Sequence, residues 1–456
     1  MELFPAGVLA VIVWGWALLR TPDRGVLLVV LLLPFGMLAV AVLHGLGGLS
    51  LLAAHVVAGL ASAAMLPAIL ADTARHGLRP WHARPAILLF LFALYGSVAA
   101  VLFVRFFAGN FLVFPLSRDA VGVAVSPGFP STMSPLGPSS ANLSQTFYVW
   151  LSAVFFVVAR HAFSRHGLAR ADRALWWAAM VNATLGVVDF LSLDSWLQPI
   201  RTATYSLANA QVVAGFERVI GGFPEPSSFG TASAVFMAYF ASAYAMSGRG
   251  RDGVAALLNL AGALASVSAT ALFAVGVVAV VLALRAITVL VRGGRAGAPI
   301  LRHGAMLALA VAATSLALAV TPLLSVMAET FQDLVLSKPQ SLSGLERKAW
   351  ALSGFRTFVE TFGLGAGLGS IRSNGLVPVL LGSVGLPGTL LFAGFAWTAL
   401  AGSARGLSGL RRRVLLSARL GGLAQLAAMF LSGTTPDPGL FLVTMAAMAS
   451  VAAGRV

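Results

Sequence analysis

Apolar runs of about 17–25 residues recur along almost the whole chain, each long enough for one helical bilayer crossing, and polar breaks separate them. Candidate spans fall at about 3–19, 25–43, 49–71, 86–107, 146–159, 174–193, 229–247, 254–267, 270–291, 304–324, 376–402, 414–432 and 439–454. A chain with a mean hydropathy of +0.91 and only 10% charged residues has no soluble way to hide its apolar surface, so its solvent is lipid. Inside a bilayer the backbone must satisfy its own polar groups. No alternating strand pattern suggests a barrel, so the spans are expected to be helices. The expected fold class is an all-α polytopic membrane protein, with 12–14 transmembrane helices in one integral membrane domain over residues 1–456. The segment 254–291 reads as two short helices meeting at Ser266–Thr270, because the basic loops on both sides (Arg249, Arg251; Arg292, Arg295) demand an even number of crossings.

The formal net charge of +15 is a matter of placement. Arginines 20, 24, 75, 79, 84, 160, 165, 170, 173, 249, 251, 285, 292, 295, 302, 405, 411, 412, 413, 419 and 455 fall on one side of the predicted topology. Those 21 share it with four acids, Asp23, Asp72, Asp172 and Asp252. The other side holds the remaining nine basic and eleven acidic residues. Such a bias is the positive-inside signal: it predicts a multi-pass membrane protein with its N-terminus outside and its C-terminus in the cytoplasm. The basicity thus predicts topology, not nucleic-acid binding, with attraction to anionic membrane lipids as a side effect. There are no cysteines, hence no disulfide and no thiol chemistry. The first segment, Leu3–Leu19, lacks a basic start and a small-residue cleavage site and reads as a retained helix.

Three loops on the outer side are expected to be more than connectors. Residues 108–145 are rich in Pro, Gly and Ser and read as a surface loop without a core of its own; Asn142-Leu-Ser there matches a glycosylation sequon. Residues 194–228 contain SLANAQVVAGFERVI, expected to lie as a short helix on the membrane surface, then GGFPEPSSFG. Residues 325–375 are too long and too charged for a simple link. Ser343 and Glu346 have capping-box spacing, and Leu345, Ala349, Leu352, Phe355, Val359 and Phe362 follow at helical intervals, so an amphipathic helix is predicted over about 344–362. It ends in GLGAGLG, where glycines stop the helix and let backbone approach something closely.

Arg218, Arg347 and Arg372 stand on the side where topology disfavours basic residues, with Arg201 and Arg356 as a second rank. Guanidinium groups converging on one outer cavity would suit a lipid-bound pyrophosphate, which their planar fork grips bidentately. The plainer reading of any one of them is a headgroup anchor. Glu225, framed by Pro224 and Pro226, is a candidate general base or, more simply, a helix-start acid. His44, His55, Asp189 and Arg105 sit in or near spans without obvious helical partners and read as structural. No metal or nucleotide motif is present, so no cofactor and no metal site is expected.

Two motifs resemble the membrane O-antigen ligase and polysaccharide polymerase superfamily. One runs from Arg218 through Gly221, Gly222, Phe223, Glu225 and Pro226 to Gly230. The other runs from Arg347 and Trp350 through GLGAGLGSIR, which holds Gly367, Gly369 and Arg372, to GSVGLPGTLLF. ASVSATALFAVGV (265–277) is similar to the family's serine-rich turn, and together these cover some 130 residues. The resemblance implies transfer of an undecaprenyl-diphosphate-linked glycan on the periplasmic side, without metal or nucleotide sugar. It implies that Arg218 and Arg347 stabilise the departing diphosphate, with Gly367 and Gly369 beside the substrate. The ligases carry a histidine shortly after the glycine-rich stretch, whereas Ser373-Asn374-Gly375 has none, and the arginine often found in the serine-rich turn is absent around Ala269–Thr270. Both departures favour a repeat-unit polymerase over a ligase, with Glu225 in place of the missing base. The partners implied are the lipid-linked oligosaccharide donor and acceptor, together with a chain-length regulator and a flippase. A transporter would instead need pseudo-symmetric halves with charge near mid-membrane, whereas the polar residues here gather in loops.

Overall fold

A computed structural model describes residues 2–20, 22–43, 49–77, 80–116, 123–124, 131–203, 212–213, 216–291, 302, 304 and 342–454. Helices α1 (Pro5–Arg20), α2 (Pro22–Leu32), α3 (Ala53–His76) and α4 (Pro80–Val98) come first; a π-turn (Ala99–Phe103) carries α4 into α5 (Val104–Phe106). There follow α6 (Ser140–His166), α7 (Leu168–Phe190), α8 (Asp194–Leu197), α9 (Pro226–Ser247), α10 (Gly250–Ala265) and α11 (Ala269–Val291). The last are α12 (Leu342–Glu360), α13 (Leu376–Leu400), α14 (Gly409–Ser432) and α15 (Gly439–Ala452). Among the described residues seven helices are long and apolar enough to cross a bilayer, within α3, α4–α5, α6, α9, α11, α13 and α14. The chain is an all-α polytopic membrane protein.

Five of the expected spans, 3–19, 25–43, 174–193, 254–267 and 439–454, have no counterpart among these seven. The apolar run at 25–43 breaks after α2, and β2 (Ala39–Leu43) pairs antiparallel with β1 (Glu2–Leu3) and β3 (Leu49–Leu52). Pro34 and Gly36 end the helix, and the β-branched residues beyond them extend. The run at 254–291 is two helices meeting at Ser266–Ser268, as its flanking charges require. The first of them, α10, has 16 residues and the last helix, α15, has 14, lengths of about 24 and 21 Å that fall short of a full crossing. The span expected at 304–324, apart from Gly304, and residues 325–341 lie outside the described residues.

Hydrogen bonds between the connections gather them on two faces. One face, here the loop face, joins β2, the described parts of the 107–139 and 191–225 loops, the 266–268 turn, α12 and the 433–438 turn. Met37 N–H donates to Gly222 at 2.9 Å, Arg372 N–H to Phe114 at 2.7 Å and Gly375 N–H to Gly433 at 2.8 Å. The opposite, basic face carries arginines tied to helix ends, such as Arg411 on the Ala452 carbonyl and Arg419 on Leu400. At the centre stands α9, buried on nearly every side, with Ala234 against Ala274, Ala427 and Ala428. Small residues let helices approach closely where lipid removes the hydrophobic drive.

The 107–139 loop does have a small core: Val104, Phe107, Phe111, Val113 and Leu136 close over Ala366 and Ile371. A short sheet runs through it, β4 (Leu112–Val113), β6 (Thr132–Pro135) and β5 (Val123–Ala124) in that order. The surface helix expected over 206–220 is replaced, where described, by an antiparallel pair, β7 (Val212–Val213) with β8 (Phe216–Glu217); two adjacent valines favour extended chain.

Candidate functional site

The Arg218–Gly230 segment is held from below by Asp189 at the end of α7. Its Oδ2 accepts the Ile220 and Gly221 N–H groups at 2.6 and 2.9 Å, and its Oδ1 pairs with the Arg201 guanidinium. Arg201 also donates to the Gly221 carbonyl from two nitrogens, at 3.0 and 2.9 Å, and to Asp194 at 3.1 Å. Arg201 is therefore a positioning residue whose guanidinium is already engaged. Asp189, read as without an obvious helical partner, has three: Ile220, Gly221 and Arg201. The glycines serve the same packing: Gly221, at φ +53°, lies over the Phe229 ring, and a Cβ on Gly222 would strike the Pro34 carbonyl.

Arg218 itself is part-buried and donates Nε–H to the Ser266 carbonyl at 3.1 Å, at the end of α10. That turn is strained, since β-branched Val267 sits at φ +43°. Burial lowers the Arg218 pKa, the positive charge of Arg347 lowers it further, and Glu225 partly restores it. Two arginines far apart in sequence thus lie within electrostatic reach of each other, with one carboxylate beside them. Glu225 heads α9 with Pro226 in its first turn, and its Oε1 accepts the Ser227 and Ser228 hydroxyls at 2.5 and 3.2 Å.

Arg347 comes from α12, close to the predicted helix in its bounds, and its apolar stripe does not face the protein. Leu345, Leu352, Phe355, Val359 and Phe362 are exposed, whereas Ser353, Gly354, Thr357 and Thr361 are buried. Gly354 lets α12 lie against the Pro378 carbonyl, so the small polar face packs on protein and the apolar stripe faces outward. Glu346 accepts from the Ser131 hydroxyl, which also takes the Trp350 indole N–H at 3.2 Å. The Arg372 guanidinium lies over the Trp350 ring, 5.2 Å from its centroid, one turn from Arg347. Arg356 stands apart, mostly exposed and paired with Glu360 at 3.5 Å.

The glycine-rich stretch docks into a broken helix. Within α13, Gly385 leaves helical geometry and Pro387 has no N–H, which frees the Gly382 and Ser383 carbonyls. The Ala366 and Gly367 N–H groups take them, both at 2.8 Å, and Leu386 N–H returns to Gly363 at 2.9 Å. Gly367 and Gly369, at φ +100° and +77°, press on the backbone of Ala99–Ala100 and of Ala141. What these two glycines admit is this chain's own backbone, and both are buried. Asn142 of the sequon is likewise buried, bonded to Leu368 and Ser370.

The arrangement thus brings Arg218, Arg347 and Glu225 together with Arg372 nearby, gives Arg201, Gly367 and Gly369 supporting roles, and leaves Arg356 at the surface. One acid escaped the sequence reading: Asp437, whose frame Pro436-Asp437-Pro438 repeats that of Pro224-Glu225-Pro226. Among the described residues no three His, Asp or Glu side chains gather as a metal site would need. No protein-family model matches the chain, and no curated protein does.

Proposed function

We propose that this protein is an inner-membrane glycosyltransferase that polymerises polyprenyl-diphosphate-linked oligosaccharide units, with the loop face in the periplasm. The observation that carries this reading is the approach of Arg218 to Arg347 on the face poor in basic residues. Like charges held together in a part-buried place are relieved by an anion between them, and a lipid diphosphate at the bilayer surface is such an anion. An acceptor hydroxyl attacks the anomeric carbon of the growing chain, the bond from that carbon to the diphosphate oxygen breaks, and its electron pair leaves on the diphosphate. Charge grows there in the transition state, where fixed guanidinium groups lower the barrier. Arg372, stacked on Trp350, adds a third cation. Glu225 orients Arg218 and the acceptor, and Arg201 with Asp189 hold the segment in register.

Purified protein in vesicles, given a lipid-linked repeat unit, should yield a ladder of products. Arg218→Ala and Arg347→Ala should each abolish it, and Arg→Lys should lose most of it, since an ammonium lacks the bidentate fork. A single transferred unit without a ladder would instead identify a ligase. No product from the wild-type protein would remove the enzyme assignment.

A further inference from the structure

The turn between α14 and α15 reaches in beneath both arginine segments. On one side the Gly433 carbonyl takes the Gly375 N–H at 2.8 Å and the Leu431 carbonyl takes the Asn374 side chain at 3.2 Å, just past Arg372. On the other, Phe441, in the first turn of α15, packs on the cluster of Val219, Phe223, Phe229 and Ala232 that follows Arg218. Asp437 lies between these anchors. Because α15 has only 14 residues, the turn descends from the end of the longer α14 into the bundle.

The carboxylate there is oriented on one oxygen only. Ser152 of α6 donates its hydroxyl to Oδ1 at 2.7 Å and Gly439 N–H donates to the same Oδ1 at 3.2 Å. Oδ2 accepts no hydrogen bond among the described residues, no cation pairs with Asp437 there, and the residue is part-exposed. Burial pushes the carboxyl up to about 6, against the Ser152 and Gly439 donors that pull it down. Glu225 differs. It heads its helix beside Arg218 and takes two hydroxyls of its own helix. If a helix cap were all that Asp437 supplied, a neutral Asn or Ser would serve without a desolvated charge.

We propose that Asp437 is the base of the transfer reaction, receiving on Oδ2 the proton released as the acceptor hydroxyl bonds to the anomeric carbon. This rests on the glycosyltransferase reading above. The oxygen–hydrogen bond breaks, its electron pair forms the new glycosidic bond, and the diphosphate leaves with the pair from the old one. Arg218 and Arg347 hold the leaving group, while Ser152 fixes the carboxyl so that its second oxygen faces the acceptor.

The test compares wild type, Asp437→Asn, Asp437→Glu and Arg218→Ala in vesicles supplied with a lipid-linked repeat unit. Binding of an unreactive polyprenyl diphosphate and thermal stability are measured alongside. Asp437→Asn, which keeps the acceptor for Ser152, should lower kcat by about 100-fold or more, the usual contribution of a general base, with KM and diphosphate binding within about threefold of wild type. Asp437→Glu should recover part of kcat, and Arg218→Ala should lose diphosphate binding. Normal kcat for Asp437→Asn beside an active wild type would overturn the assignment alone. Failure of Asp437→Glu to recover any kcat, or equal loss of binding and kcat in Asp437→Asn, would also overturn it in favour of a strut. An inactive wild type would overturn the base and the enzyme reading together.

Discussion

Arginine is taken out of water at both ends of this bundle, and the two ends treat it in opposite ways. On the basic face Arg413 is 4% exposed and lies between two buried carboxylates, donating to Asp172 at 2.5 Å and to Asp252 at 3.1 Å. Tyr239 donates to Asp172 at 2.9 Å, Ser247 to Asp252 at 3.2 Å, and Arg251 reaches both carboxylates from the rim. Two guanidinium groups meet two carboxylates, and α7, α9, α10 and α14 are tied together by the result. On the loop face Arg218 meets another arginine, and the nearby Glu225 offsets it only in part. A closed network is a structural element. Like charges that the fold holds within electrostatic reach of each other are, on the proposed reading, where a lipid diphosphate binds.

The largest effects should separate the two. Removing Arg413 leaves Asp172 and Asp252 buried without their partner, and breaking such a pair costs about 3–5 kcal/mol. Arg413→Met should therefore lower the yield of folded protein and the thermal midpoint in detergent. Arg218→Ala should change the midpoint far less than Arg413→Met, because relief of the Arg347 repulsion offsets the lost Ser266 hydrogen bond, while transfer activity falls by about a thousandfold. Unfolding by Arg218→Ala and tolerance of Arg413→Met would reverse the comparison.

An intermediate effect is expected from Asp189→Asn. It keeps the shape but weakens the acceptance of two N–H groups and of Arg201, hydrogen bonds to a charged group worth about 1.5–3 kcal/mol. The segment should stay folded yet hold Arg218 less firmly. Turnover would fall about tenfold while bulk helix content by circular dichroism stays unchanged. Turnover equal to wild type would mean that the placement of Arg218 does not depend on Asp189.

Much of this contrast is legible in the sequence, for unequal reasons. Which arginines face which side follows from a charge bias that needs no tertiary information, and the turn at Ser266–Ser268 follows from the charges flanking it. Function within a side does not. Arg201 and Arg218 look alike as loop arginines, and only the partner on α7, supplied by the fold, makes one a strut. The strand at 39–43 is hidden because apolar residues suit strand and helix alike; Pro34 and Gly36 were its only signal. For α12 the periodicity gave the stripe but not its direction. Lipid outside the protein removes the rule that apolar residues face inward, so small Ser353, Gly354 and Thr357 mark the packed side.

The smallest effect concerns pH, and it asks whether Asp437 belongs with the open site or with the closed networks. An aspartate favoured in its charged form when folded, as a salt-bridged one is, stabilises the protein above its unfolded pKa and loses that stability in acid. Asp437 is shifted the other way, from 3.8 up to about 6. The folded state then holds the proton more tightly than the unfolded chain. Stability is greatest below pH 4, declines as pH rises from about 4 to 6, and is level above that. The decline attributable to this one side chain should be on the order of 1–2 kcal/mol, since part of it is reached by solvent. Asp437→Asn removes a charge that folding disfavours, so its thermal midpoint should match wild type near pH 4 and exceed it at pH 7. A variant less stable by the same amount at both values would mean that the carboxylate acts as a cap for α15. Asp437 would then belong with Arg413 as part of the scaffold, and the open face would consist of the arginines and Glu225 alone.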